Sequence, residues 1–157
     1  MPQVEYTHCA DLRPFNSFGV TARAQYLVRA WSMDGLLAAL DFAQRRELPV
    51  EVLGGGSNVL IVDDLNAVVI LPQLRGITWL GTDQGRVHVR AAAGENWHDF
   101  VALTLAQQAY GLENLALIPG NVGAAPIQNI GTYGVELDRF VVAVDAYDRM
   151  HGRVCRI

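Results

Sequence analysis

Apolar and polar positions divide the chain into short alternating stretches. Tyr26 to Ala30 is rich in Tyr, Leu and Val and reads as a strand. Ser32 is a good N-cap with Asp34 in the first turn. Leu36, Leu37, Leu40, Phe42 and Ala43 then form a helical stripe, which runs into Arg45 and Arg46 and is closed by Pro49. Val50–Leu53, Val59–Val62 and Val68–Leu71 each read as a short strand, the last stopped by Pro72. Ile77–Leu80 and Arg86–Ala92 flank Gly81–Gly85 as the arms of a hairpin. Val87 and Val89 alternate with His88 and Arg90 there, which gives one buried face and places His88 on the wet one. Asn96 can cap a helix that has Asp99 in its first turn, with Trp97, Phe100, Val101, Thr104, Leu105 and Gln108 on one side and Gly111 as its C′ residue. Phe140–Tyr147 is strand-like, Asp148–Gly152 is a turn, and Val154–Ile157 begins a returning strand.

Strands and helices mix here without regular βαβ alternation, so the fold class is α+β. A break near Asp63–Pro72 divides a small βαββ lobe, residues 1–67, from a larger α+β lobe, residues 68–157. The last residues read as half of a hairpin with an unpaired edge, the expectation for a fragment of a longer chain.

Composition narrows the function. Half of the 157 residues, 51%, are hydrophobic and 18% are charged, enough apolar surface for a packed core. The net charge is −4 with no basic run, which argues against nucleic-acid binding. No apolar run is long enough to span a bilayer, and the polar segment Met1–Asp11 lacks a signal-peptide core. Cys9 and Cys155 form no metal or redox spacing and read as free thiols of a reduced, cytoplasmic compartment. The four histidines have no metal-ligand spacing, so no metal residue is assigned. His98 lies off the helical stripe and reads as a surface residue.

Two glycine-rich stretches carry the candidate chemistry. Gly54-Gly55-Gly56-Ser57-Asn58 lies between apolar runs. Three successive glycines let backbone N–H groups converge on one anion. The stretch contains neither Gly-Lys-Ser/Thr nor GxGxxG before a helix, so it is not a P-loop or a dinucleotide-binding fingerprint. On the residues alone it is either a tight β-turn or a phosphate nest. The second stretch, Ile118 to Gly134, holds four glycines, two prolines and no charge. Its sparse polar groups, Asn121, Gln128, Asn129, Thr132 and Tyr133, suit a cofactor pocket or a buried structural loop.

Asn16-Ser17-Phe18-Gly19, Leu53 to Leu60, Ala93-Gly94-Glu95-Asn96-Trp97, Leu115 to Gly120 and Pro126 to Gly134 stand in an order and spacing that closely resembles the N-terminal half of the UDP-N-acetylenolpyruvoylglucosamine reductase family. The likeness runs from about Phe15 to Ile157, and Glu136-Leu137 is similar to the form with the longer C-terminal domain. Ala124-Ala125 stand where some members carry Ser-Ser. The resemblance implies a two-lobed FAD-binding fold of the vanillyl-alcohol-oxidase (PCMH) type, with FAD between the lobes. It implies that Gly54, Gly55, Gly56, Ser57 and Asn58 cradle the pyrophosphate, with Val59 beside them as a further FAD-binding residue. Pro119, Gly120, Gly123, Ala124, Ala125, Gln128, Asn129, Ile130, Gly131, Tyr133 and Gly134 would wrap the flavin and adenosine parts. It further implies hydride transfer from NADPH through FAD to the enolpyruvyl group of a UDP-sugar, a step of peptidoglycan synthesis.

The family's catalytic arginine, serine and glutamate belong to segments beyond Ile157, as does its substrate domain. No catalytic residue is therefore assigned here, and the nucleotide sugar is expected only with those segments. Two alternatives are an inactive stand-alone FAD-binding module and the FAD domain of another oxidoreductase of the superfamily. Against the second, neither glycine stretch holds the histidine or cysteine that those oxidases often use to attach flavin.

Overall fold

Five consecutive side chains, Ala67 to Leu71, are at most 3% exposed. They belong to the central strand of a four-stranded sheet in a computed structural model that describes residues 3–157. Met1 and Pro2, counted above with the first lobe, lie outside the described residues. The sheet comprises β1 (Val4–Asp11), β2 (Arg23–Ala30), β3 (Val50–Val52) and β4 (Leu65–Pro72), in the order β1-β2-β4-β3. β1 runs antiparallel to β2, whereas β2 and β3 both run parallel to β4. α1 (Met33–Arg45) connects β2 to β3 and packs Ala39 and Ala43 against Val28, Val68 and Ile70. Its cap is the expected one, with Ser32 Oγ accepting from Gly35 N at 3.0 Å.

Because β3 and β4 are parallel neighbours, their connection must carry the chain back across the sheet. The stretch Leu53–Asp64 is that crossover, which corrects the strand expected at Val59–Val62. The alternation there is real, since Val59 and Ile61 pack on the sheet while Leu60 and Val62 face solvent. It arises from an extended segment lying on a sheet face, with no neighbouring strand to pair with. The same parallel pairing removes the tight β-turn reading of Gly54–Asn58, because a tight turn joins antiparallel strands. The expected lobe boundary at residues 67 and 68 falls inside β4, so the first sheet continues to Pro72.

β1 had no counterpart among the expected strands. Its apolar signal is thin because it is an edge strand, and its packing comes from Tyr6 on Phe42 and His8 on Tyr26 at ring separations of 4.6 and 5.0 Å. Cys9 interrupts its pairing in a left-handed conformation, φ 51°.

The rest of the chain surrounds a separate core of Trp97, Phe100, Val101, Leu115, Ala125, Ile130 and Leu137. β5 (Ile77–Asp83) and β6 (Arg86–Ala91) form the expected hairpin, but its strands extend to a two-residue turn at Gln84 and Gly85, both at positive φ. Val89 packs on the core, whereas Val87 is exposed and His88 half-buried, and a bulge between Trp79 and Gly81 shifts the pairing register. α2 (Trp97–Ala106) is capped by Asn96, whose Oδ1 accepts from Asp99 N at 3.0 Å. It ends before Gly111, with Gln108 taking the left-handed conformation at φ 59° and Gln107 capping the last carbonyls. A 3-10 helix at Val122–Gln128 leads to the small hairpin β7 (Gly131–Thr132) and β8 (Val135–Glu136). The final hairpin is β9 (Asp145–Asp148) with β10 (Arg153–Arg156), shorter than the run from Phe140 suggested. Among the described residues no helix is long and apolar enough to cross a membrane.

Candidate functional site

The two glycine stretches meet face to face. An ideal Cβ on Gly55 would lie 2.8 Å from Gly120 Cα, and one on Gly54 would lie 3.1 Å from Ala124 Cβ. Backbones approach this closely only where side chains are absent or minimal. Ser57 Oγ donates to the Pro119 carbonyl at 3.2 Å, and Asn58 Nδ2 donates to Gln128 Oε1. The expected residues Gly54–Asn58, Pro119, Gly120, Ala124 and Gln128 therefore gather at one place, the carboxyl ends of the parallel strands, where open α/β sheets bind ligands.

The first stretch is rich in unused donors. Among the described residues, none of the backbone N–H groups of Gly54 to Asn58 donates a hydrogen bond. Consecutive amides without acceptors suit a multiply charged oxyanion, and the chemistry of a pyrophosphate fits that donor set. Val59 adds only its backbone here, since its side chain packs on the sheet.

The second stretch is held from behind by Ala93–Trp97. Gly123 N donates to Ala93 O and Val122 N to Glu95 O, each at 2.9 Å, and Trp97 N donates to Gly120 O at 3.0 Å. A Cβ on Gly123 would fall 2.6 Å from that of Ala93. Trp97 Nε1 donates to Leu115 O at 2.7 Å, which anchors the entry to the loop in the core. Glu95 accepts from Gly76 N at 2.6 Å and from Arg75 Nη1 at 3.1 Å, so one carboxylate joins the hairpin to the loop.

Some expected residues serve the loop's own architecture. Ala125 and Ile130 are buried in the second core. Asn129 stands at φ 41° and ties its side chain to Asp138 N and Glu136 Oε2. Gly131 packs against the backbone of Val135, and the 87% exposed Tyr133 forms the β7–β8 turn with Gly134. That hairpin, from Gln128 to Glu136, lines a hollow of about 440 Å3. His98 is exposed and accepts from Leu117 N at 3.3 Å.

A cleft of about 400 Å3 opens beside Gly54 and Gly55 and between the two cores. Phe15, Arg29, Gln73, Arg75 and Asn96 line it, none of them singled out as a ligand residue from sequence. Arg29 lies over Phe15 at 5.4 Å and is paired with Glu5 at 3.5 Å. Position after a strand end was the only signal that could have found Gln73 and Arg75. Among the described residues no group of three His, Cys, Asp or Glu side chains could hold a metal ion.

Comparisons with known proteins bear on the family and the fold. The FAD binding domain family matches residues 24–157. The UDP-N-acetylenolpyruvoylglucosamine reductase of Pseudomonas fluorescens strain Pf-5 is 50% identical over 144 residues, which is 92% of this chain and 42% of that protein. The reductase of the same name from Escherichia coli K12 is 44% identical over 147 residues, 94% of this chain and 43% of that protein. The crystal structure of UDP-N-acetylenolpyruvylglucosamine reductase (MurB) from Thermus caldophilus aligns with a TM-score of 0.73 at 25% identity, over 98% of this chain and 52% of that one. The chain thus spans less than half the length of these curated relatives. With an α+β fold and a sequence match across most of its length, the chain belongs to the FAD binding domain family, and its cofactor is FAD.

Proposed function

We propose that this chain is the FAD-binding portion of a reductase that converts UDP-N-acetylglucosamine enolpyruvate to UDP-N-acetylmuramate, with NADPH as hydride donor. The observation that carries the FAD part is the row of unpaired amides from Gly54 to Asn58, facing the uncharged loop Pro119–Gly134. The likeness to the reductases named above supports the reaction. FAD, when bound, supplies the two-electron carrier between NADPH and the enolpyruvyl double bond. The chain's own part is to bind and orient. Gly54–Asn58 hold the pyrophosphate through N–H groups, and the glycines admit it at backbone distance. Pro119, Gly120, Gly123 and Ala124 keep the facing wall small, while Gln128 and Asn58 clasp the two loops together. Asn129, Ile130, Gly131, Tyr133 and Gly134 shape the hairpin that flanks the flavin or adenosine end, and Ala125 seats it on the second core.

The residues that handle protons in the reaction and the nucleotide-sugar site lie, on this reading, in the portion of the relatives that this chain does not span. The parent reaction belongs to cytoplasmic peptidoglycan synthesis, and through it to cell shape and division. Gel filtration after incubation with FAD tests the binding. Flavin absorbance co-eluting with the protein is the expected result, and a colourless protein that also fails to retain added FAD would sink it. NADPH oxidation with the enolpyruvyl substrate should be absent from this chain alone. Turnover by the isolated chain would overturn the division of labour proposed here.

A further inference from the structure

The Asn16-Ser17-Phe18-Gly19 turn contributes no group to the site just described, yet it abuts the nest from behind. Asn16 is 7% exposed, one of the few buried polar side chains. Its Nδ2 donates to Leu12 O at 2.9 Å and Val20 O at 3.0 Å, and its Oδ1 accepts from Val20 N at 3.0 Å. One side chain thereby stitches both ends of the loop. Gly19 closes the turn, with its N–H on Asn16 O at 3.1 Å and φ 63°.

The outer side of this loop grips Gly56. Ser17 donates twice to the Gly56 carbonyl, from N at 2.9 Å and from Oγ at 3.3 Å. Phe15 O lies 1.9 Å from where a Gly56 Cβ would be, and Gly56 stands at φ 65°. A trans peptide points its C=O and the following N–H in opposite directions. Holding the Gly56 carbonyl on Ser17 therefore turns the Ser57 N–H away from the turn, among the unpaired amides of the nest.

We propose that this turn presets the nest, with Asn16 as a positioning residue for the FAD pyrophosphate, acting through Ser17 and Gly56. The inference rests on the FAD reading above. It assigns affinity to a side chain that does not touch the cofactor.

The test compares Asn16→Ala and Ser17→Ala with the unaltered 157-residue chain. FAD affinity is read by quenching of flavin fluorescence, at a temperature where circular dichroism shows each protein folded. The phosphorus resonances of bound FAD are recorded in parallel. Ser17→Ala removes one long, part-buried hydrogen bond and leaves the Ser17 N bond to the same carbonyl, so its Tm should stay within about 2 °C while Kd for FAD rises about threefold. Asn16→Ala should raise Kd about tenfold or more. In both, the phosphorus resonances should move while the flavin absorption band stays in place.

If the unaltered chain binds FAD and both variants match it within about twofold, the proposal fails and the FAD reading stands. Weaker binding with unmoved phosphorus resonances would also overturn it, since Asn16 would then support the fold in general. If Asn16→Ala does not fold, Ser17→Ala decides alone. An unaltered chain that binds no FAD removes the functional reading and this inference together.

Discussion

Gly55 and Gly120, 65 residues apart in sequence, meet so closely that a Cβ on the first would lie 2.8 Å from the Cα of the second. This contact joins the sheet lobe to the second core and sets the floor of the space between them. Gly55→Ala should force one loop to move, costing about 1–3 kcal/mol of stability. It should also weaken FAD binding, because Gly54–Asn58 and Pro119–Gly134 no longer face each other as before. Urea unfolding and FAD titration measure the two effects. A variant as stable and as tight as the original would show that the loops do not touch in solution.

The two helix caps separate fold from site. Ser32→Ala and Asn96→Ala each remove one cap hydrogen bond, to Gly35 N and Asp99 N respectively. Each should cost about 0.5–2 kcal/mol in thermal or urea unfolding. Only Asn96 lines the cleft beside Gly54 and Gly55. FAD affinity should therefore fall for Asn96→Ala and hold for Ser32→Ala, and equal losses would count against a role for the cleft.

The nest Gly54–Asn58 contains no cation. Amide-based binding depends on short-range geometry, so FAD affinity should change only a few-fold between about 50 and 500 mM salt. Isothermal titration at several salt concentrations measures this. A steep decline would move the pyrophosphate to Arg29 and Arg75 in the neighbouring cleft.

The β9–β10 hairpin should respond to acid. Arg156 donates to Asp145 through Nε at 2.7 Å and Nη2 at 3.1 Å, and this bonding holds the Asp145 carboxyl below its ordinary value. His151 does the same for Asp148, with Nδ1 and Oδ2 2.6 Å apart. A carboxyl held low contributes only while ionised. The contribution is complete above the ordinary value of 3.8 and is lost as pH falls through the lowered folded values. Amide exchange of Val144 and Ile157, which bond each other at 2.9 and 3.0 Å, should accelerate selectively at the acid end. Uniform acceleration across β2 and β4 would mean global unfolding instead.

Much of the helical structure was legible because its signals are local. Ser32 and Asn96 reach N–H groups only three residues ahead, and their identity alone marks each helix start. The β5–β6 hairpin was legible for the same reason, although its register was not, since nothing in the residue pattern marks the bulge between Trp79 and Gly81. β1 escaped notice because an edge strand buries little, and its stabilising partners, Phe42 and Tyr26, are distant in sequence. The site was half legible: composition singled out both glycine stretches, but only their position just after the end of β4 pointed to Gln73 and Arg75.

By itself the sequence determined the two helices, the apolar segments and the two uncharged glycine stretches, since these rest on side-chain chemistry within a few residues. Only the tertiary structure decided that β3 and β4 are parallel, which makes Leu53–Asp64 a crossover rather than a turn between paired strands and, among the described residues, leaves the amides of Gly54 to Asn58 without acceptors. It also decided which glycines matter as contacts: Gly55 meets Gly120, and Gly56 meets Phe15. The reason is physical. A glycine states what a backbone is free to do, and the use of that freedom is set by whichever distant segment packs against it.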